Sequence, residues 1–191
     1  MIENIKQEKL AKAKKMMLLF GLLSITMTFA GLTSAYIVSK GRPDWTMDFN
    51  LPSEFFYSTF IILLSSLTLF VSKRKLNSGK SINSVFNWTL VTFVLGTVFI
   101  VFQFMGFNKI IDQGYYFAGA QSAIKTSFIY VLSFLHIVHL VAGLIVLIIL
   151  MFNIKKGKYV DNNLGFNLGS NFWHFLDFLW LYLFSFFYFF G

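Results

Sequence analysis

His174 and Asp177 stand one helical turn apart inside an apolar, aromatic stretch. Two groups that titrate in such a place could relay a proton or help to hold a cation. The surrounding string is Trp173-His174-Phe175-Leu176-Asp177-Phe178-Leu179-Trp180. The i, i+3 spacing puts both side chains on one helix face. An ionisable side chain near the bilayer centre costs at least about 2.5–3.5 kcal/mol on insertion scales, so two on one face imply a protein partner rather than lipid. A second pair, His136 and His139, has the same spacing in another apolar run. Two imidazoles on one face suggest a metal or haem site.

Either chemistry needs these residues to converge. A six-coordinate haem takes axial ligands from opposite sides, so one histidine of the His136/His139 pair would have to face His174. A zinc-type site would need His136 or His139 together with His174 and Asp177. Depth counts against both. With spans taken to end at residue 152 and to begin at residue 170, His139 lies about 21 Å from one end of its helix and Asp177 about 10–14 Å from the same side, at 1.5 Å per residue. The gap of several ångström favours separate interhelical hydrogen bonds, worth about 0.6 kcal/mol each on average in membrane proteins. A proton relay would need further titrating groups, and Gln103, Ser65 and Ser66 are polar without titrating. Asp177 is therefore read as held by His174 or by a neighbouring subunit. No catalytic, cofactor or metal residue is assigned. His136, His139, Trp173, His174, Asp177 and Trp180 are expected to make structural, subunit or lipid contacts. No nucleotide loop, nucleophile–base pair or metal-protease pattern is present.

The elements that must position these residues follow from composition. The chain has 191 residues, of which 57% are hydrophobic and 20% aromatic. A soluble domain is not so apolar. Each of five apolar runs is about as long as the roughly 20 residues that cross hydrocarbon. The expected fold is all-α, a polytopic bundle of five transmembrane helices with spans at about 16–38, 55–72, 85–105, 126–152 and 170–190. Residues 1–15 form a basic N-terminal segment ahead of the membrane domain, 16–191. Thr33-Ser34-Ala35 resembles a signal-peptidase site, but the apolar run continues through Tyr36-Ile37-Val38, as in a retained span.

There are no cysteines, which excludes disulfides, thiolate metal sites, iron–sulfur clusters and thiol catalysis. The net charge of +8 is no nucleic-acid signal, because the basic residues lie in loops and termini. Lysine and arginine number five in the N-terminal segment, then two, four, two and three in the successive loops. Alternate segments thus hold twelve against four, which places the N-terminus in the cytoplasm and the C-terminus outside. Gly41-Arg42-Pro43-Asp44 and Leu51-Pro52 break the first loop, and Trp45 reads as an interface anchor. Ala30, Gly31, Ser34 and Ala35 form a close-contact stripe, as do Gly96 and Ala142-Gly143 on later helices. The aromatic tail Phe184–Phe190 reads as a lipid or subunit surface.

The fourth and fifth runs together resemble subunit III of the haem–copper cytochrome c oxidases, in its bacterial five-helix short form. The resemblance rests on Ser133-Phe134-Leu135-His136-Ile137-Val138-His139-Leu140-Val141-Ala142-Gly143-Leu144 and on Trp173-His174-Phe175-Leu176-Asp177-Phe178-Leu179-Trp180-Leu181-Tyr182-Leu183-Phe184. Weaker matches are Ser58-Thr59 with Ser65-Ser66-Leu67-Thr68, Gly96 with Phe99 and Gln103, and Phe29-Ala30-Gly31-Leu32 with Ala35-Tyr36. The resemblance implies a non-redox subunit of an oxygen-reducing, proton-pumping complex in the bacterial plasma membrane. It implies that haem and copper sit in partner subunits I and II, that this chain braces subunit I and binds phospholipid, and that cytochrome c is met only through the complex. One departure stands out: the family often has a membrane glutamate where this chain has Ile25. The alternatives are a subunit-III-like partner of nitric oxide reductase and a membrane carrier handling haem or protons alone.

Overall fold

The computed structural model describes residues 2–42, 45, 52–79, 81–114, 124–159 and 162–190. Among them are five α-helices and no strand: α1 (Ile2–Ser39), α2 (Glu54–Asn77), α3 (Ile82–Asp112), α4 (Ile124–Lys155) and α5 (Leu164–Phe190). All five are long and apolar enough to cross a membrane. Each extends past the apolar run that predicted it. A helix does not stop where hydrocarbon stops, because its backbone hydrogen bonds continue until a residue breaks the pattern. At the end of α2 that residue is Gly79 (φ +64°), whose N–H bonds to the Leu76 carbonyl at 3.2 Å. The basic N-terminal residues are part of α1, which at 38 residues is about 57 Å long. Pro43, Asp44 and Leu51, read as loop breakers, lie outside the described residues.

α2, α3, α4 and α5 close a ring, each packed on the next and α5 back on α2. α1 lies outside the ring and touches only α4 and α5 among the described helices. The ring is built on a seven-residue repeat, which keeps one face of a helix turned to its neighbour. Buried positions run Thr89, Gly96, Gln103 and Ile110 on α3, Ile129, His136, Gly143 and Leu150 on α4, and Trp173, Trp180 and Phe187 on α5. In α2 the repeating residues are hydroxyls: Ser58, Ser65 and Ser72 are fully buried.

These hydroxyls serve two neighbours at once. Toward α3, the Gln103 amide donates to Ser58 Oγ at 2.8 Å, and Thr68–Thr92 and Ser72–Thr89 are paired at 2.8 and 2.9 Å. Toward α5, Trp173 Nε1–H donates to Ser65 Oγ at 3.2 Å and Trp180 Nε1–H to Thr59 Oγ1 at 2.9 Å. Ser66 Oγ meets His174 Nδ1 at 2.7 Å. The far end of the α2–α3 pair is closed by an ion pair between Glu54 and Lys109.

One expectation about α1 changes. Among the described residues its small-residue stripe packs against nothing: Ala30, Gly31, Ser34 and Ala35 are exposed, and a Cβ on Gly31 would meet no atom within 4 Å. The face turned to the ring carries Phe29, Thr33 and Tyr36 instead, at i, i+4 and i+7. Thr33 and Tyr182 hydroxyls are 2.8 Å apart, and Tyr36 donates to the Phe190 carbonyl at 3.0 Å. The Trp45 ring stands edge-on to Tyr36 at 4.9 Å and packs against the core. The aromatic tail is divided, with Phe186 and Phe187 buried while Tyr188 and Phe189 are exposed.

Candidate functional site: an aromatic wedge with four separated polar groups

The centre of the ring is filled by two tryptophans of α5. Trp173 is 1% exposed and its six-membered ring lies in a slot between α3 and α4. A Cβ on Gly96 would sit 2.6 Å from Trp173 Cη2, and one on Gly143 3.2 Å from Cε3 and 2.8 Å from Leu176 Cδ1. Both glycines are therefore absences of side chain that the indole occupies. One turn-pair later, Trp180 is fully buried. It meets Phe99 of α3 edge-on at 5.1 Å, His136 of α4 at 5.2 Å with 35° between the planes, and Phe55 of α2 stacked at 6.1 Å. These distances are typical of favourable aromatic pairs.

The four candidate polar residues go to different neighbours. His136 is fully buried between Phe99 and Trp180, and neither ring nitrogen has a hydrogen-bond partner among the described residues. His139 turns outward toward α1, edge-on to Phe29 at 5.8 Å, and its Nδ1–H donates to the Leu135 carbonyl at 2.7 Å. Three residues advance a helix by about 300°, a 60° offset that is enough to separate two rings expected on one face. His174 faces α2 and Ser66. Its Nδ1 is 3.9 Å from Asp177 Oδ2, beyond hydrogen-bonding range, so the expected direct bond between the two is replaced by one to α2. Asp177 is 3% exposed, and among the described residues neither of its oxygens has a hydrogen bond that meets the usual geometry.

The depth argument is overturned. His136 lies against Trp180, Gly143 against Leu176, and Gly169 against Val146 and Leu150. Interpolating between these contacts puts His139 level with Asp177. Counting from the helix ends at Lys155 and Leu164 instead of residues 152 and 170 halves the gap, from about 6 residues to 3, and the remainder is a height difference between those two ends. Direction separates these groups, not height: His139 looks to α1 and Asp177 toward α2. Among the described residues no three of the histidines and acids gather closely enough to hold a metal ion.

Sequence reasoning missed the α2 hydroxyls and Gln103 as the partners of this site. Their signal was the seven-residue spacing of Ser58, Ser65 and Ser72 and of Thr59 and Ser66. Beside the wedge, an apolar groove of about 440 Å³ opens between α3 and α4, lined by Phe104, Phe107, Tyr130 and Phe134. Ile25, the position at which the resemblance leads to the expectation of a glutamate, is half-buried and packs against the core.

A closed ring of helices wedged by indoles, with its ionisable groups dispersed, defines a packed multi-pass membrane protein. Residues 9–191 match the model of the family described as cytochrome c oxidase subunit III, and the chain belongs to that family. It is 32% identical over 169 residues to the cytochrome bo(3) ubiquinol oxidase subunit 3 of Pseudomonas aeruginosa, covering 86% of this chain and 78% of that protein. It is 30% identical over 165 residues to the cytochrome c oxidase subunit 3 of Bacillus sp. (strain PS3), covering 84% and 77%. The quinol oxidase subunit 3 of Bacillus subtilis is 28% identical over 164 residues, covering 82% and 77%.

Proposed function

We propose that this chain is the non-redox third subunit of a respiratory haem–copper oxidase in a bacterial plasma membrane. Its complex reduces oxygen and pumps protons, with haem and copper in subunits I and II. This chain braces subunit I and holds phospholipid, and its N-terminus is cytoplasmic. The observation that carries the reading is the wedge. Trp173 and Trp180 spend their N–H groups on α2 and their rings on α3 and α4, so the shared core of the site is packing. The α3–α4 groove has the apolar lining that an acyl chain requires. The twelve-to-four lysine and arginine asymmetry supports the orientation.

Purification from membranes in mild detergent tests this. Subunits I and II are expected to accompany the chain, and recovery of nitric oxide reductase subunits, or of the chain alone carrying haem, would reject the reading. In the same preparation Asp177→Asn or His174→Ala is expected to lower the thermal stability of the complex while leaving haem per complex unchanged. Loss of haem with either substitution would point to a cofactor role instead. The donor is read as cytochrome c. A quinol is the second reading, favoured by the names of the Pseudomonas aeruginosa and Bacillus subtilis relatives. Oxidation of a quinol but not of reduced cytochrome c by the purified complex would select it.

A further inference from the structure

We infer that the crevice between α2 and α5 receives a transmembrane helix of a partner subunit that offers a hydrogen-bond acceptor to His174 Nε2. This rests on the membrane-subunit reading above and names where, and by what chemistry, a partner meets the candidate site. His174 lies near the midpoint of α5 and Ser66 near the midpoint of α2, so their contact is far from both helix ends. The His174 side chain is nevertheless 29% exposed, and its own chain does not enclose the imidazole. An ionisable side chain turned to hydrocarbon at this depth is costly, and such groups face protein.

Ser66 decides which ring nitrogen carries the proton. Its neighbours on α2 spend their hydroxyl protons on their own helix: Ser58 and Thr59 donate to the Phe55 carbonyl, Ser65 to that of Ile62 and Thr68 to that of Ser65. Ser66 has no such bond, and its hydroxyl lies 2.7 Å from His174 Nδ1. Asp177 does not take that proton, since among the described residues neither of its oxygens has a hydrogen bond of the usual geometry. The Ser66 hydroxyl therefore donates to Nδ1. A neutral imidazole that accepts at Nδ1 carries its proton on Nε2. The second nitrogen is thus a donor, and no acceptor meets it among the described residues.

The crevice has a polar floor between apolar lips. Leu63 and Phe70 stand one turn to either side of Ser66, Phe178 stands one turn beyond His174, and all three are exposed. An acyl chain can cover the lips but brings no acceptor to the floor, because the ester and phosphate oxygens of a lipid lie outside the hydrocarbon core. A helix does both. Its apolar side chains pack on Leu63, Phe70 and Phe178, and one hydroxyl, amide or carboxyl side chain accepts from Nε2–H.

The test places the photoreactive residue benzoylphenylalanine at position 178 of the full chain. Native membranes are irradiated, the chain is purified with the subunits that accompany it, and the cross-linked peptide is sequenced by mass spectrometry. The expected product joins position 178 to a transmembrane segment of a co-purifying subunit, within one helical turn of an acceptor side chain. Cross-links to lipid alone, to a segment without an acceptor, or to the same segment from exposed Val94 on α3 would overturn the docking. A second readout uses His174→Gln, which keeps a donor, and His174→Leu, which removes it. After a detergent wash, retention of the cross-linked subunit is expected to be about threefold lower with leucine than with glutamine. Equal retention would overturn the hydrogen bond. Should either variant fail to fold, the cross-link decides, because it leaves His174 in place. Oxidase subunits recovered while position 178 joins only lipid would reject the docking face and leave the functional reading standing. A cross-link to an acceptor-bearing segment of a subunit that belongs to no oxidase would reject that reading and leave the face standing.

Discussion

Gly96→Leu is expected to keep the chain from reaching its folded state, so that neither it nor any complex it forms accumulates in the membrane. The space a leucine needs is filled. Even the first added carbon would lie 2.6 Å from Trp173 Cη2, 2.9 Å from Cζ2 and 3.0 Å from Leu144 Cδ2. The indole cannot retreat easily, because Ser65 holds its N–H on one side and Gly143 backs the ring on the other. Overpacking of a filled core typically costs about 1–3 kcal/mol for a few extra methylenes. A leucine against a rigid ring exceeds that range. The check is the amount of protein recovered from membranes, together with a rescue: Gly96→Ala should be impaired, and Trp173→Phe should restore it by shortening the ring that the new methyl strikes. Normal accumulation of Gly96→Leu would show that the slot is looser than these distances describe.

Trp180→Ala is expected to lower the stability of the chain by about 3–5 kcal/mol, the usual cost of emptying a large buried aromatic site. Trp180 is fully buried and contributes to three contacts at once, with Phe55, Phe99 and His136 on three different helices. In lipid these packing contacts, with interhelical hydrogen bonds, carry helix association, since hydrocarbon offers no hydrophobic drive between apolar helices. The lost hydrogen bond is the smaller part. Thr59 still donates to the Phe55 carbonyl at 2.7 Å, so its hydroxyl is not stranded. Trp180→Phe should therefore cost less, about 1–2 kcal/mol, because most of the ring remains. Reversible unfolding in mixed micelles measures both. An alanine variant within about 1 kcal/mol of the parent would mean that the ring closes over the gap.

The number and order of the helices were legible because hydrocarbon thickness imposes a length and five runs meet it. Their ends were not, since polar helical turns such as those after Phe152 carry no hydropathy signal. The small residues were legible as places of close approach, but not what approaches them. Gly96 and Gly143 face an indole from a helix many residues away, whereas Gly31 faces nothing among the described residues, and nothing local distinguishes the two cases. His139 was correctly placed on its helix and placed too far in height from Asp177, because depth was counted from apolar boundaries that are neither the helix ends nor level with one another. Partnership between helices is a property of two faces, and one sequence shows each face separately. The six serines and threonines of α2 illustrate this, standing in the sequence as mild polarity and in the structure as the common partner of α3 and α5.

That column of hydroxyls bears on how the chain enters the bilayer during synthesis. α2 emerges before the helices that satisfy it, and alone it would present Ser58, Thr68 and Ser72 to lipid. Its earliest partner is α3, which follows after only residues 78–81 and answers with Thr89, Thr92 and Gln103. Pairing removes the expense of solvating these groups in hydrocarbon, so the hairpin is a better substrate for the insertion machinery than α2 by itself. The tryptophans of α5 arrive last, at a surface of α2 whose other side is already occupied.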